Sequence, residues 1–229
     1  MIIQSQKTLD RIYRILKENE KVAYDQTIPT DDKVLESLTD DLNSVKALSE
    51  INKLAKLIYP LPLSLEVTTN EKEEMIRQAK EFSSWSDNIN VKITIHGPNG
   101  ELENLEVIHK LENENNIKVN VTAMMSAQQC FIASLAGATY VSLFGGRIND
   151  MGYNSVDEIK KLRKLIDDFN LKSKIILGST REALNVIEWL TAGAHIVTCS
   201  PKFLERIIVH PYTKETVKMF LNDGKKIKI

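Results

Sequence analysis

This sequence predicts an α/β fold of the TIM (β/α)8 barrel type, a single domain over residues 1–229, and three observations lead there. Eight short segments of strand character alternate with segments of helical periodicity. The length of 229 residues suits one barrel and its core. Several strand segments interleave apolar residues with polar ones, and those polar residues recur near the C-terminal strand ends, where barrel enzymes keep their sites. A doubly wound open sheet would want a glycine-rich phosphate turn after the first strand, and Gln4-Ser5-Gln6-Lys7 is not one.

The elements follow in order. Met1 to Gln4 reads as the first strand, and Lys7 to Asn19 carries Leu9, Ile12, Tyr13, Ile15 and Leu16 at helical spacing. Val22-Ala23-Tyr24 is a second strand ending in the turn Thr27-Ile28-Pro29-Thr30. A long helical region from Asp32 to Leu57 is broken near Thr39-Asp40-Asp41, where an N-cap signal starts a piece with Val45, Leu48, Ile51, Leu54 and Leu57 on one face. Pro62 to Val67 sets Leu63, Leu65 and Val67 against Ser64 and Glu66. Asn70-Glu71-Lys72-Glu73 reads as a capping box opening a helix whose Met75, Ile76, Ala79 and Phe82 face inward.

Asn90 to His96 is the fourth strand, and Gly97-Pro98-Asn99-Gly100 turns into a helix with Leu102, Leu105, Ile108 and Leu111. In Lys118 to Ala123, Val119, Val121 and Ala123 oppose Asn120 and Thr122. Ser126 to Ala136 is a helix closed by Gly137, Tyr140 to Phe144 a strand, and Val156 to Phe169 a helix. Ile175 to Leu177 is the seventh strand, Arg181 to Ala192 a helix with Gly193 as C-cap, and His195 to Cys199 the eighth strand. Helical segments follow from Phe203 and from Thr213, the last running over about residues 213–221.

Composition excludes several function classes. Thirty basic against 31 acidic residues leave a net charge of −1, with one short basic cluster at Lys225-Lys226-Ile227-Lys228, so no nucleic-acid or anionic-membrane partner is expected. No apolar run approaches the ~20 residues of a membrane span. Cys130 and Cys199 lie far apart, and the N-terminus lacks the layout of a signal peptide; a reduced, cytoplasmic protein is expected. His96, His109, His195 and His210 show no metal-ligand spacing, so no metal is expected; the Schiff-base chemistry argued below would need no organic cofactor, and His195, Cys199, Trp85 and Trp189 read as structural residues.

The candidate chemistry lies in the polar residues of the interior. If Val91, Ile93 and Ile95 pack on helices, Lys92 points into the barrel with Glu66, Asn120, Thr122 and Ser142 from neighbouring strands. An ammonium in a partly dry site gives up its proton more readily, and the free amine can attack a ketone to form a Schiff base. Glu66, with Thr122 and a bridging water, could move the protons this requires, or Glu66 and Lys92 could form only a buried ion pair. Asn120 could bind substrate hydroxyls or satisfy backbone groups. Arg147 is a planar fork suited to a phosphate, or else a surface salt-bridge partner.

Ser64-Leu65-Glu66-Val67, Val91-Lys92-Ile93, Asn120-Val121-Thr122 with Ser126, and Ser142-Leu143-Phe144-Gly145-Gly146-Arg147-Ile148 together resemble the transaldolase family, which includes the fructose-6-phosphate aldolases. The likeness runs from about residue 62 to the C-terminus and extends more weakly before it. It implies that Lys92 forms the Schiff base, that Glu66 and Thr122 hold the catalytic water, that Asn120 contacts the dihydroxyacetone unit, and that Ser142 and Arg147 bind the phosphate of a sugar phosphate. Glu66 and Phe144 match the transferase branch, where the aldolase branch tends to carry Gln and Tyr. Homo-oligomers are also implied, with the C-terminal helix packing on a neighbour.

Three departures stand against that pattern. Ser5 aligns with the strand-one aspartate that acts as acid and base in carbon–carbon cleavage, and Ile28 with an asparagine after strand two. A rival alignment uses Asp25 and Asn43 for these roles but leaves seven strands. The turn Gly178-Ser179-Thr180-Arg181 is shorter than the family's; Ser179 and Arg181 are candidate phosphate contacts there, or Arg181 only opens the following helix. Two functions follow: a transaldolase-type Schiff-base enzyme transferring or cleaving a dihydroxyacetone unit, or a diverged sugar-phosphate-binding homologue without turnover.

Overall fold

The computed structural model describes the backbone of residues 44–226 and the side chains from residue 51 onward. The first two expected strands, the helix between them, Ser5 and Ile28 lie outside the described residues. Two compact units, residues 1–91 and 92–229, divide the chain within one strand.

In the first unit, α1 (Ser44–Ile58) leads to β1 (Leu63–Glu66) and α2 (Lys72–Ser83). Asn88 joins α1 to the loop before β1 by donating to the carbonyls of Ala55 and Leu61, both at 2.8 Å. The alternation expected of β1 is present, with Leu63 and Leu65 half-buried and Ser64 and Glu66 exposed. Leu57 departs from its expected face and is 73% exposed. Helix α2 starts without the expected capping box: Glu71 is the N-cap and makes no side-chain cap bond. Gln78 instead ties the helix to the loop after β1, accepting from the Thr68 N–H at 2.9 Å.

Strand β2 (Ile89–Thr94) crosses from the first unit into the second, where β3 (Val119–Met124), β4 (Tyr140–Leu143), β5 (Lys174–Leu177) and β6 (Ile196–Val197) follow. The strands are hydrogen-bonded in chain order. Pairing from β3 to β6 is parallel, with Val121 opposite Val141, Val141 opposite Ile175 and Leu143 opposite Leu177. These five residues have no exposed surface, so each adds about 1.5–3 kcal/mol through burial of its side chain. That apolar face is held by helices that return the chain between parallel strands: α3 (Glu103–His109) with the π turn Lys110–Glu114, α4 (Ala127–Leu135), α5 (Gly145–Asp150), α6 (Ser155–Asp168) and α7 (Ala183–Ala192). Helix α4 packs on α6, and α6 on α7. Helices α8 (Pro201–Ile208) and α9 (Pro211–Gly224) close the described chain.

Two local features depart from simple alternation. Ala123 has φ +62°, and the register shifts between Val121 and Met124, so Met124 rather than Ala123 faces Leu143 and is fully buried. Leu102 lies before the first turn of α3 and is 68% exposed, because the Gly97–Glu101 turn uses up the residues that periodicity would give to the helix.

Candidate active site

Strands β3 and β4 carry three buried polar side chains, Asn120, Thr122 and Ser142. Ser142 on β4 donates from Oγ to Asn120 Oδ1 on β3 at 2.7 Å, and both are 5% exposed. Thr122, two residues beyond Asn120 and on the same face, is 2% exposed, and its Oγ1 has no hydrogen-bond partner among the described residues. Burying a hydroxyl without a partner costs stability.

Lys92 belongs to the same face. The Ile95 N–H donates to the Thr122 carbonyl at 3.1 Å. In the β4–β5 pair, the equivalent bond from Gly178 N–H to the Leu143 carbonyl accompanies the pairing of Leu143 with Leu177. By the same geometry Thr94 stands opposite Thr122 and Lys92 opposite Asn120. Lys92 is half-buried, less enclosed than a fully interior position. Glu66, in the first unit, is exposed on β1, the first strand in the sheet order.

The remaining candidates line a rim. Arg147, on α5, is exposed, with its guanidinium carbon 4.9 Å from the centroid of the Phe144 ring. Phe144 is therefore a platform for Arg147. Ser179 is half-buried with φ +67°, a left-handed backbone uncommon for serine. The neighbouring helix fits against it at Gly146, where an added Cβ would lie 1.7 Å from the Ser179 carbonyl oxygen. Arg181 meets Asp150 in a forked ion pair, Nη2 to Oδ2 at 2.6 Å and Nε to Oδ2 at 3.0 Å. Hydrogen bonds from Arg181 hold the Asp150 carboxyl below the usual carboxylate range. Asp150 was not among the residues singled out from sequence; the available signal was its position three residues after Arg147 on one short helix. Beside this rim a cavity of about 780 Å³ is lined by Arg147, Asp150, Met125, Met151, Tyr153 and Lys161, among others.

Other side chains have structural partners. His195 Nδ1 accepts from the Ile175 N–H at 3.0 Å and Nε2 lies 2.7 Å from Arg163 Nη1, while burial and then the Arg163 charge hold its pKa below the ordinary value. Trp189 is buried, and its indole N–H donates to Ser155 Oγ at 2.9 Å. Burial pushes the Cys130 thiol up, away from a reactive thiolate. No helix among the described residues is long and apolar enough to cross a membrane.

Parallel strands alternating with helices define an α/β fold of the barrel type. Comparison with known proteins narrows the class. The sequence profile of the family described as Transaldolase/Fructose-6-phosphate aldolase matches residues 4–229. A probable transaldolase of Carboxydothermus hydrogenoformans is 38% identical over 167 residues, covering 73% of this chain and 75% of that protein. A probable transaldolase of Bartonella tribocorum is 34% identical over 185 residues, 81% and 82% of the two chains. One of Lactiplantibacillus plantarum is 40% identical over 164 residues, 72% and 73%. The chain belongs to the transaldolase/fructose-6-phosphate aldolase family, a family of TIM barrels.

Proposed function

We propose that this chain is a Schiff-base enzyme that transfers or cleaves the dihydroxyacetone unit of a ketose phosphate through Lys92. The observation that carries this reading is the partnerless buried hydroxyl of Thr122 on the sheet face that Lys92 shares with Asn120 and Ser142. In this reading the free amine of Lys92 adds to the ketone carbon, a proton passes from nitrogen to oxygen, and loss of water leaves an iminium. The electron pair of the Cα–Cβ bond then moves into the iminium as the Cβ hydroxyl passes its proton to a water molecule, releasing an aldehyde and leaving an enamine on Lys92. Thr122 positions the water of imine formation and hydrolysis, and Glu66 carries its protons. Asn120 binds the hydroxyls of the three-carbon unit, and Ser142, Ser179 and Arg147 bind the phosphate, with Phe144 supporting Arg147.

Borohydride trapping tests this reading, with dihydroxyacetone, fructose 6-phosphate and sedoheptulose 7-phosphate offered in turn and the adduct located by peptide mass. A reduced adduct on Lys92, absent from Lys92→Met and formed more slowly in Glu66→Gln, is the expected result. An unmodified Lys92 with all three ketoses would favour a sugar-phosphate-binding protein without turnover.

The chain is also proposed to form homo-oligomers through its C-terminal helices. Neither α8 nor α9 has a buried residue, and together they expose Ile208 (77%), Tyr212 (73%) and Phe220 (65%). Such a face is costly in water and suits a second copy. Sedimentation is expected to show an oligomer; a monomer at all concentrations would remove this proposal.

A further inference from the structure

We infer that the Asp150–Arg181 pair is a positioning clasp for the phosphate end of the substrate, so that Arg181 acts on that phosphate only through the placement of Arg147 and Ser179. This inference rests on the phosphate role proposed above for Arg147 and Ser179, and it changes the part expected of Arg181.

The geometry has three elements. The pair joins residues 31 apart in sequence, through three N–H···O contacts of 2.6–3.3 Å, and so links the end of α5 to the β5–α7 connection. Both partners are about half exposed, at 50% and 48%. Exposed ion pairs add about 0–1 kcal/mol to stability, so this contact is poorly explained as a fold-stabilising one. The second element lies on the same helix: Gly146 seats its Cα against the Ser179 carbonyl at a distance that no side chain tolerates, and Ser179 holds φ +67° there. The third is Arg147, next to Gly146 in sequence. Its guanidinium lies over Phe144 and, among the described residues, has no hydrogen-bond partner.

Helix α5 thus touches the β5–α7 connection at two points, Gly146 on Ser179 and Asp150 on Arg181, with Arg147 between them in sequence. Asp150 is held mainly by Arg181 and also feels the Arg147 charge, while the Arg147 guanidinium makes no hydrogen bond among the described residues and can meet an anion. A forked carboxylate–guanidinium pair fixes direction as well as distance, as positioning requires. Releasing the second point frees the end of α5 to move relative to Ser179 and spoils a site in which small displacements matter. The alternative is that Asp150 masks an arginine that would otherwise bind the phosphate directly. The two predict opposite signs for the same substitution.

The test uses the full chain and calorimetric titration with inorganic phosphate, beside trapping of dihydroxyacetone, which carries no phosphate. Asp150→Asn and Arg181→Gln are each expected to weaken phosphate binding by tenfold or more, and to raise the KM for fructose 6-phosphate correspondingly. The rate of dihydroxyacetone trapping should change less than twofold. The charge-swapped double variant D150R/R181D is expected to recover binding to within about threefold of wild type. Circular dichroism melts of each variant identify any that fail to fold, and the double variant then serves as the control. Binding by Asp150→Asn equal to or tighter than wild type overturns the clasp, as does wild-type protein that binds no phosphate. Failure of trapping with phosphate binding intact would instead count against the Lys92 reading and leave the clasp standing.

Discussion

Strands β3 and β4 carry two polar clusters, one tied to the backbone where the strands begin and one of side chains within them, and the two differ in how far their hydrogen bonds are satisfied. At the start, Glu112 of the π turn reaches across both strands: its carboxylate accepts from the N–H groups of Val119 and Thr139, both at 2.6 Å, and from the Thr139 hydroxyl at 3.1 Å. Burial raises the pKa of Glu112, and these hydrogen bonds oppose the rise. Within the strands, Ser142 and Asn120 satisfy one another in part, and the Thr122 hydroxyl has no partner among the described residues. A polar group kept for stability is expected to be saturated with partners, as Glu112 is. A group kept for chemistry holds hydrogen-bonding capacity in reserve.

The largest effect that would sharpen this contrast is on Glu112. Replacing it by Ala strands two backbone donors of neighbouring strands in a poorly solvated place, at an expected cost of about 3 kcal/mol. Glu112→Gln keeps an acceptor and should lose less. Denaturant unfolding measures both, and trapping on Lys92 well below the melting point should match wild type. An Ala variant as stable as wild type would mean that Glu112 is not the tie described, and a folded variant that had lost trapping would mean that the two clusters are not independent.

Much of this was legible in the sequence where its cause is local. The alternation of Val119 and Val121 with Asn120 and Thr122, or of Val141 and Leu143 with Ser142, follows from the pleat of a strand and is read from consecutive residues. Gly137 and Gly193 were read as helix ends, and both have the positive φ of such a position. Long-range ties were not legible. Glu112 meets Thr139 27 residues away, and Asp150 meets Arg181 31 away; nothing in the spacing of either residue signals its partner. Boundaries also shifted where a tertiary contact overrode a local preference. Thr198 spends its hydroxyl and its N–H on the Leu177 carbonyl, and the eighth strand, expected from His195 to Cys199, shrinks to Ile196–Val197. The candidate site was legible as a list of residues on strand ends, but the exposure of Glu66, the ring beneath Arg147 and the engagement of Arg181 came only from the folded chain.

The smaller effect, and the more diagnostic one, is on Thr122. Valine has the same shape and no hydroxyl, so Thr122→Val removes a buried oxygen that has no partner and loses no hydrogen bond in exchange. Stability is therefore expected to stay within about 1 kcal/mol of wild type, and to rise if it changes at all. If the hydroxyl holds the water through which protons reach the carbinolamine, the rate of imine formation should fall by about tenfold to a hundredfold. Thr122→Ser restores the oxygen without the methyl group and should recover most of the rate while losing some packing. Rapid-quench borohydride trapping with dihydroxyacetone measures the rate, and denaturant unfolding of the same samples measures the stability. A valine variant that is destabilised by several kcal/mol and traps at the wild-type rate would make Thr122 a structural residue like Glu112, and the contrast between the two clusters would fail with it.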